Sequence, residues 1–297
     1  MKPLLIIGGS NIDYIGHLSH PMILKDSNVG TLAMSFGGVG RNIAENLARL
    51  GLPITFATAM GSDPTSIKMK EVLTTLGVKL VLKETTLPSA SYIAFINPEH
   101  DMEVALCDSR ITEEMDKAFI DSIDDLIEKH QMIVIDGNLS QSTVDYFFHK
   151  VKGHEIFVDA ISTAKAMKFQ HHLSEITLFK ANIYEARAIL HQEVDAKTLL
   201  KEFLVKGLQN VIITQGLDPI VYAYHGKCYE SPVKPANHVV NATGAGDAFL
   251  SGIIACLLRG ETNHQAMIEY AKKMSYWTLQ AKEAVNPNIA SLMEEEQ

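Results

Sequence analysis

Along the chain, short continuous apolar runs alternate with segments whose apolar positions recur every three or four residues. Leu4–Ile7, Ile54–Ala59, Met132–Ile135, Glu155–Val158 and Val211–Thr214 have the first character, and Leu178-Phe179 opens another such run. The segments 43–50, 67–76 (stopped by Gly77), 184–190 and 199–208 have the second. A helix rich in Asp, Ile and Leu precedes Met132. Strands that are apolar at every position, separated by helices, predict an α/β fold: a doubly wound, mostly parallel sheet with helices on both faces. No linker, repeat or low-complexity tract interrupts the 297 residues, so one unit spanning 1–297 is expected.

Two stretches break this rhythm, residues 14–36 and 89–108. In the second, Ser91–Ile96 and Met102–Leu106 flank Asn97-Pro98-Glu99-His100-Asp101, the pattern of a β-hairpin with a five-residue turn. Both stretches are strand-like rather than loop-like. They predict a small antiparallel sheet outside the main one, placed to cover a cleft as a lid. An exposed lid edge invites pairing, so a homodimer through the lid is a further expectation.

Composition narrows the function. The chain carries 26 Lys and Arg against 35 Asp and Glu, a formal charge of -9, with a pI near 5.7. Such a chain lacks the broad positive field that holds nucleic acid or anionic lipid, so neither partner is expected. A compact anionic substrate would need local cations or a bound Mg²⁺. Cys107, Cys228 and Cys256 are odd in number and form no CxxC pair, which excludes a disulfide framework and a zinc knuckle. His171-His172, the one adjacent His pair, has no Cys nearby and is expected at a solvated helix end. After Met1-Lys2-Pro3, the run Leu4–Ile7 is too short for a signal-peptide core or a membrane span; it predicts a buried first strand and a cytoplasmic location.

The strongest chemical signal is Asn241-Ala242-Thr243-Gly244-Ala245-Gly246-Asp247. It follows the apolar His238-Val239-Val240 and leads into Ala248–Leu258, which is apolar on nearly every face and so predicts a buried helix. The start of that helix turns free N–H groups toward whatever lies on the turn. Gly244, Ala245 and Gly246 would let a phosphate approach those amides and the positive end of the helix dipole. This suits a transferring phosphoryl group, whose charge lies on its equatorial oxygens. Asp247, in the first turn, is expected to be kept ionised by the dipole and to orient and deprotonate an attacking hydroxyl. The bland alternative is a Gly-rich turn with Asp as a helix cap.

A second signal is Gly37-Gly38-Val39-Gly40-Arg41-Asn42, with Ala44, Ala48 and Gly51 after it. Small residues bring backbone close to a ligand, and Asn42 offers both a donor and an acceptor. A dinucleotide fingerprint would need Gly or Ala at position 43, where this chain has Ile43, and would follow the first strand. A nicotinamide-dependent oxidoreductase is therefore disfavoured. Third, Asn11 and Asp13 lie just past the first strand, where α/β sheets bind ligands, and suit paired sugar hydroxyls; an Asx turn is the alternative.

Taken together, Gly37–Gly51 and Asn241–Phe249 resemble the two signatures of the ribokinase-like (PfkB) carbohydrate kinases, in the family's order and across essentially the whole chain. The resemblance implies a ribokinase-like domain with a β lid, together with ATP, Mg²⁺ and often a monovalent cation such as K⁺. It implies Asp247 as base and Gly244–Gly246 as anion hole. Asn11, Asp13, Gly37, Gly38 and Asn42 would hold the sugar, with Asn138 at the acceptor. Asn182-Ile183-Tyr184-Glu185 is similar to the family's NxxE motif, in which Glu185 acts on Mg²⁺ through water. Thr214-Gln215-Gly216 matches the nucleotide-side turn.

Within the family the likeness is greatest to members that phosphorylate pseudouridine on its 5′ hydroxyl. It is carried by Gly38–Asn42, Val104-Ala105 with Asp108, Asp136-Gly137-Asn138, Val158-Asp159 with Ser162 and Lys165, Asn241 before Thr243–Asp247, and Asn286-Pro287-Asn288. Ribose, fructose, a keto-sugar acid and purine nucleosides stay open as acceptors. A non-catalytic ligand-binding homologue is opposed by the presence of Asp247, Gly244 and Gly246. Three positions depart from the family pattern: Asn241 replaces a common Asp near the cation site, Ala181 a frequent Pro, and Pro219 a usual Gly beside the adenine pocket.

Overall fold

The computed structural model describes residues 3–99 and 101–295. Met1, Lys2 and His100, the last within the expected 97–101 turn, lie outside the described residues. Thirteen strands occur among the described residues. They are β1 (Leu4–Ile7), β2 (Asn11–Leu18), β3 (Gly30–Gly37), β4 (Ile54–Ala59), β5 (Lys79–Lys83), β6 (Ala90–Ile96), β7 (Met102–Asp108), β8 (Met132–Asp136), β9 (Glu155–Asp159), β10 (Leu178–Asn182), β11 (Val211–Gln215), β12 (Asp218–Tyr224) and β13 (Lys227–Ser231).

Nine of them form the main sheet, in the order β13-β12-β11-β10-β9-β8-β1-β4-β5. From β11 to β5 every pairing is parallel; β12 and β13 add an antiparallel edge. The central strands are buried on both sides. Leu5 and Ile7 of β1 enter one apolar cluster and Leu4 and Ile6 the other, which is why the strand shows no polar alternation. The chain runs from β1 outward to β4 and β5, then returns to β8 on the other flank of β1. The strand order therefore reverses at β1, and a crevice opens outside its carboxyl end.

The remaining four strands form a second sheet, ordered β3-β2-β6-β7. The β2–β3 and β6–β7 pairs are antiparallel, and the two hairpins join through a parallel β2–β6 pairing. This sheet starts at Asn11 rather than Tyr14 and ends its first hairpin at Gly37. Asn11 and Asp13 are thus strand residues rather than members of a turn, four and six residues beyond the end of β1.

The helix Ala245–Leu258 is buried at nearly every position, as its composition requires. The helix Val39–Arg49 lies against it and presents Asn42 and Asn46 as buried amides. His172 is more enclosed than the solvated end expected for it: it stacks on Phe148 with ring centroids 4.5 Å apart and bonds Asp145 and Glu175.

Candidate active site

The crevice beside β1 is organised by one buried carboxylate. Asp136, at the end of β8, accepts from the backbone N–H of Gly9 and of Gly40 at 2.9 Å each, and from the backbone and side chain of Asn138 at 2.9 and 3.0 Å. Burial pushes its carboxyl up and these donors pull it back. The effect is to lock together the end of β1, the start of the Val39–Arg49 helix and the Asn138 side chain. Lys165 Nζ donates to Asn138 Oδ1 at 2.6 Å.

Asn138 and Lys165 line a cavity of about 170 Å³ with Asn11, Asp13, Tyr92, Asp108 and Thr112. Asn11 Nδ2 donates to Asp13 Oδ1 at 2.5 Å, and Gly37 faces both across the β2–β3 pairing. A methyl group built on Gly37 would collide with Asp13 Oδ2 and lie 2.8 Å from Asn11 Nδ2. Gly38 is required twice over. Its φ is +96°, and a methyl there would lie 2.5 Å from the Gly9 carbonyl oxygen.

On the far side of the Val39–Arg49 helix, Asn42 Nδ2 donates to Asp247 Oδ2 at 2.6 Å. The Asn42 Oδ1 atom is buried without a partner among the described residues, so it offers an acceptor to an incoming hydroxyl. Burial raises the Asp247 carboxyl first, Asp159 raises it further, and Lys180, Asn42 and Arg41 pull it down; the outcome is a group pushed up to about 7. This corrects the expectation of a carboxylate simply kept ionised by the helix dipole. Desolvation and the neighbouring Asp159 work against the dipole and hold the carboxyl well above the usual carboxylate range.

The turn before Asp247 is sterically defined. Gly244 has φ +82°, and any Cβ there would run into the Ala284 carbonyl. The helix starts at Ala245, so the N–H groups of its first turn have no partner within it. A methyl built on Gly246 would lie 2.5 Å from Lys180 Nζ. Lys180 is 6% exposed and donates to Asp159 Oδ2 at 3.0 Å. Burial lowers its ammonium, but the carboxylates of Asp159, Glu185 and Asp247 together hold it above the usual lysine range. The Ala245 N–H reaches the Ala242 carbonyl at 3.5 Å, and the turn combines the remaining amides of the helix start with the Lys180 ammonium. Sequence reasoning missed Lys180 and Asp159 as site residues. The available signal was the one charged residue within β10, Lys180, and a carboxylate at the end of β9, Asp159.

Asn182 and Thr214 are register partners at the carboxyl ends of β10 and β11. Gly216 follows in a left-handed turn at φ +66°. Gln215 Nε2 donates to the Pro219 carbonyl at 2.7 Å, so Pro219 belongs to the wall of this turn. Val239 and Val240 form no strand and are exposed. Asn182 caps the helix Ile183–Leu190 and Glu185 Oε2 accepts from the Asn182 N–H at 2.7 Å, a complete capping box.

Two groupings therefore result. Asn11, Asp13 and Asn138 line the cavity, with Gly37 against Asn11 and Asp13 and Gly38 against Gly9, while Asn182, Thr214, Gly216 and Glu185 lie on the β10–β11 side. Asn42 and Asp247 join the Val39–Arg49 helix to the 244–246 turn, where Lys180 lies against Gly246.

No group of three or more His, Cys, Asp or Glu side chains gathers for a metal among the described residues. Mg²⁺ needs only one or two carboxylates when water and phosphate oxygens complete its shell, so Glu185, with one oxygen outside its cap bond, fits. A monovalent cation fits poorly at Asn241. Its Nδ2 donates to the Lys282 carbonyl at 2.8 Å and its Oδ1 accepts from Thr243 N at 2.9 Å, leaving no anionic ligand.

Residues 1–290 match the pfkB family carbohydrate kinases, and the chain belongs to that family. It is accordingly an ATP-dependent phosphotransferase whose acceptor is a sugar or nucleoside. Among curated relatives it is 29% identical to the pseudouridine kinase of Escherichia coli K12, over 98% of this chain and 96% of that one. It is 23% identical to the guanosine-inosine kinase of Exiguobacterium acetylicum, over 90% and 91%. The fold matches a carbohydrate kinase from Agrobacterium tumefaciens (TM-score 0.86, 24% identity, 99% and 96% covered). It also matches a ribokinase from Thermotoga maritima (TM-score 0.83, 17% identity, 99% of each chain covered). No helix among the described residues is long and apolar enough to cross a membrane.

Proposed function

We propose that the chain transfers the terminal phosphoryl group of ATP to the 5′ hydroxyl of pseudouridine. The observation that carries the site assignment is the 2.6 Å Asn42–Asp247 bond. It ties the carboxylate at the start of the Ala245–Leu258 helix to the Val39–Arg49 helix, whose cap Gly38 packs against Gly9 of the cavity lining. Asn11, Asp13, Gly37, Gly38 and Asn138 hold the ribosyl ring. Asn42 and Asp247 orient the 5′ hydroxyl, and Asp247 takes its proton as the oxygen bonds to phosphorus. The bond from phosphorus to the ADP oxygen breaks, and the N–H groups around Gly244, Ala245 and Gly246, with Lys180, meet the charge on the moving group. A base with a pKa near the working pH suits this step. Asn182, Thr214 and Gly216, at the carboxyl ends of β10 and β11 and the turn after them, seat the nucleotide; an Arabidopsis thaliana ribokinase of like fold was solved with ribose and ATP. Glu185 would hold Mg²⁺ through water, and the ion would supply charge neutralisation on the phosphates.

The choice of pseudouridine rests on the relative that matches nearly end to end and on the polar wall beyond the sugar, where Lys165 and Thr112 leave a nucleobase hydrogen-bond partners. ADP release measured with pseudouridine, uridine, ribose, fructose, adenosine and inosine tests it. The proposal requires pseudouridine to give the highest kcat/KM; no turnover of pseudouridine beside good turnover of a purine nucleoside or free sugar overturns it.

The four-stranded sheet serves as a lid and as a dimer surface. One face carries Asn11, Asp13 and Tyr92 toward the cavity. The other carries Leu32, Met34, Phe95, Val104 and Leu106, all exposed and uncharged, in rows fixed by the strand register. A second copy of the same face is its proposed occupant. Light scattering should give twice the 32.7 kDa chain mass; a monomer at micromolar concentration refutes the dimer. The location proposed for the enzyme is the cytoplasm, where ATP is available.

A further inference from the structure

Asp159 is 2% exposed and does not line the cavity. Burying a carboxylate is costly unless it is fully used, and this one is used in a specific way. Its Oδ1 accepts from the backbone N–H of Ile161 at 2.9 Å. Ile161 has φ +64°, a conformation that a β-branched residue adopts only under constraint. The same carboxylate thus fixes its own turn and cannot swing. Its Oδ2 holds Lys180 Nζ at 3.0 Å, across a register pair between β9 and β10. An ammonium has three donors, so two remain for other partners, and the group lies against Gly246.

We propose that Asp159 is a positioning residue for phosphoryl transfer: anchored by Ile161, it aims the Lys180 ammonium at the place where the transferring group meets the 244–246 turn. Without Asp159 the flexible lysine stem would turn toward Glu185 or Asp247, the other two carboxylates that act on it. The ammonium would then leave the phosphoryl position and neutralise the base or the Mg²⁺ carboxylate instead. A residue of this kind affects turnover and not acceptor binding, because its charge is needed where negative charge moves.

The inference rests on the assignment of the 244–246 turn as the phosphoryl site, and the test separates the two. Asp159→Asn keeps the side-chain volume and the oxygen that accepts from Ile161, so the turn survives while the anchor's charge is lost. Steady-state kinetics are measured for the wild type, D159N, K180M and the double variant, with the acceptor the wild type uses best. D159N should lower kcat about 10- to 100-fold, with acceptor KM within about twofold of wild type. The double variant should be within about twofold of K180M alone, because both changes disable one device. A D159N enzyme with wild-type kcat, or losses that multiply in the double variant, overturns the proposal while leaving the site assignment intact. A wild type inactive on every acceptor would instead overturn the site assignment. If K180M fails to fold, K180R replaces it in the cycle, and the D159N kcat by itself still decides.

Discussion

Replacing Asp247 by Asn should damage turnover and strengthen the fold at the same time. The carboxylate is buried, and its proton affinity is raised to about 7 by lost hydration and by Asp159. The sign follows from linkage. The folded chain holds this proton more tightly than the unfolded chain, so its stability declines as pH rises from the ordinary carboxylate value through about 7. Above that range the folded state bears the full cost of an ionised buried carboxylate. A tenfold change in proton affinity corresponds to about 1.4 kcal/mol, so the cost is of the order of a few kcal/mol. Asn removes the charge while keeping a group that can meet Asn42. Part of the gain is offset because Lys180 loses one of its three carboxylates. At pH 8 the variant should melt at least about 2 °C above wild type, given the size of the chain. In the same preparation kcat should fall about a hundredfold or more, with substrate KM little changed. In the wild type kcat/KM should fall about tenfold per pH unit below about 7, as the base is protonated. Differential scanning fluorimetry at pH 5 and 8, with ADP-release kinetics, measures all of this. A variant that retains kcat removes Asp247 from its role, and one that loses both activity and melting temperature shows a scaffold defect instead.

Three other outcomes follow from the geometry. Gly244→Ala combines a left-handed backbone with a collision against Ala284, and should lower the melting temperature by roughly 2–6 °C and abolish turnover; a stable, active variant would show that the turn is not constrained. Glu185→Gln keeps an acceptor for the Asn182 N–H, so the fold should persist while the Mg²⁺ concentration for half-maximal rate rises several-fold; an unchanged Mg²⁺ titration would remove Glu185 from that role. Because Asn241 offers no anionic ligand, exchanging K⁺ for tetramethylammonium at constant ionic strength should change kcat/KM less than about twofold; a tenfold stimulation by K⁺ would contradict this.

The parts of the fold legible in the sequence were those governed by burial. β1, β4 and β8 are apolar throughout because helices cover both faces, and the Ala245–Leu258 helix is apolar all round because it is enclosed. The β12–β13 edge was not anticipated. Its strands mix Pro219, Lys227 and Glu230 with apolar residues, as edge strands do, and antiparallel pairing leaves no signal in a single strand. The parallel β2–β6 join was invisible for the same reason, since pairing between distant segments is decided by tertiary packing. In the site, Gly38, Gly244 and the Asn42–Asp247 pair were legible because special backbone and short polar groups stand out against an apolar background. The proton affinity of Asp247 was misjudged because the helix dipole can be read locally, whereas the burial and the Asp159 charge that outweigh it come from elements 88 residues and more away in the chain. Lys180 was overlooked because its significance lies in proximity to Gly246, 66 residues on.

The most direct test of the account is ³¹P NMR of the purified protein with MgATP and pseudouridine. A new phosphomonoester signal, split into a triplet by the two 5′ methylene protons and growing in step with ADP, is the predicted result. Unchanged ATP, or inorganic phosphate as the one new product, would contradict transfer to a pocketed 5′ hydroxyl.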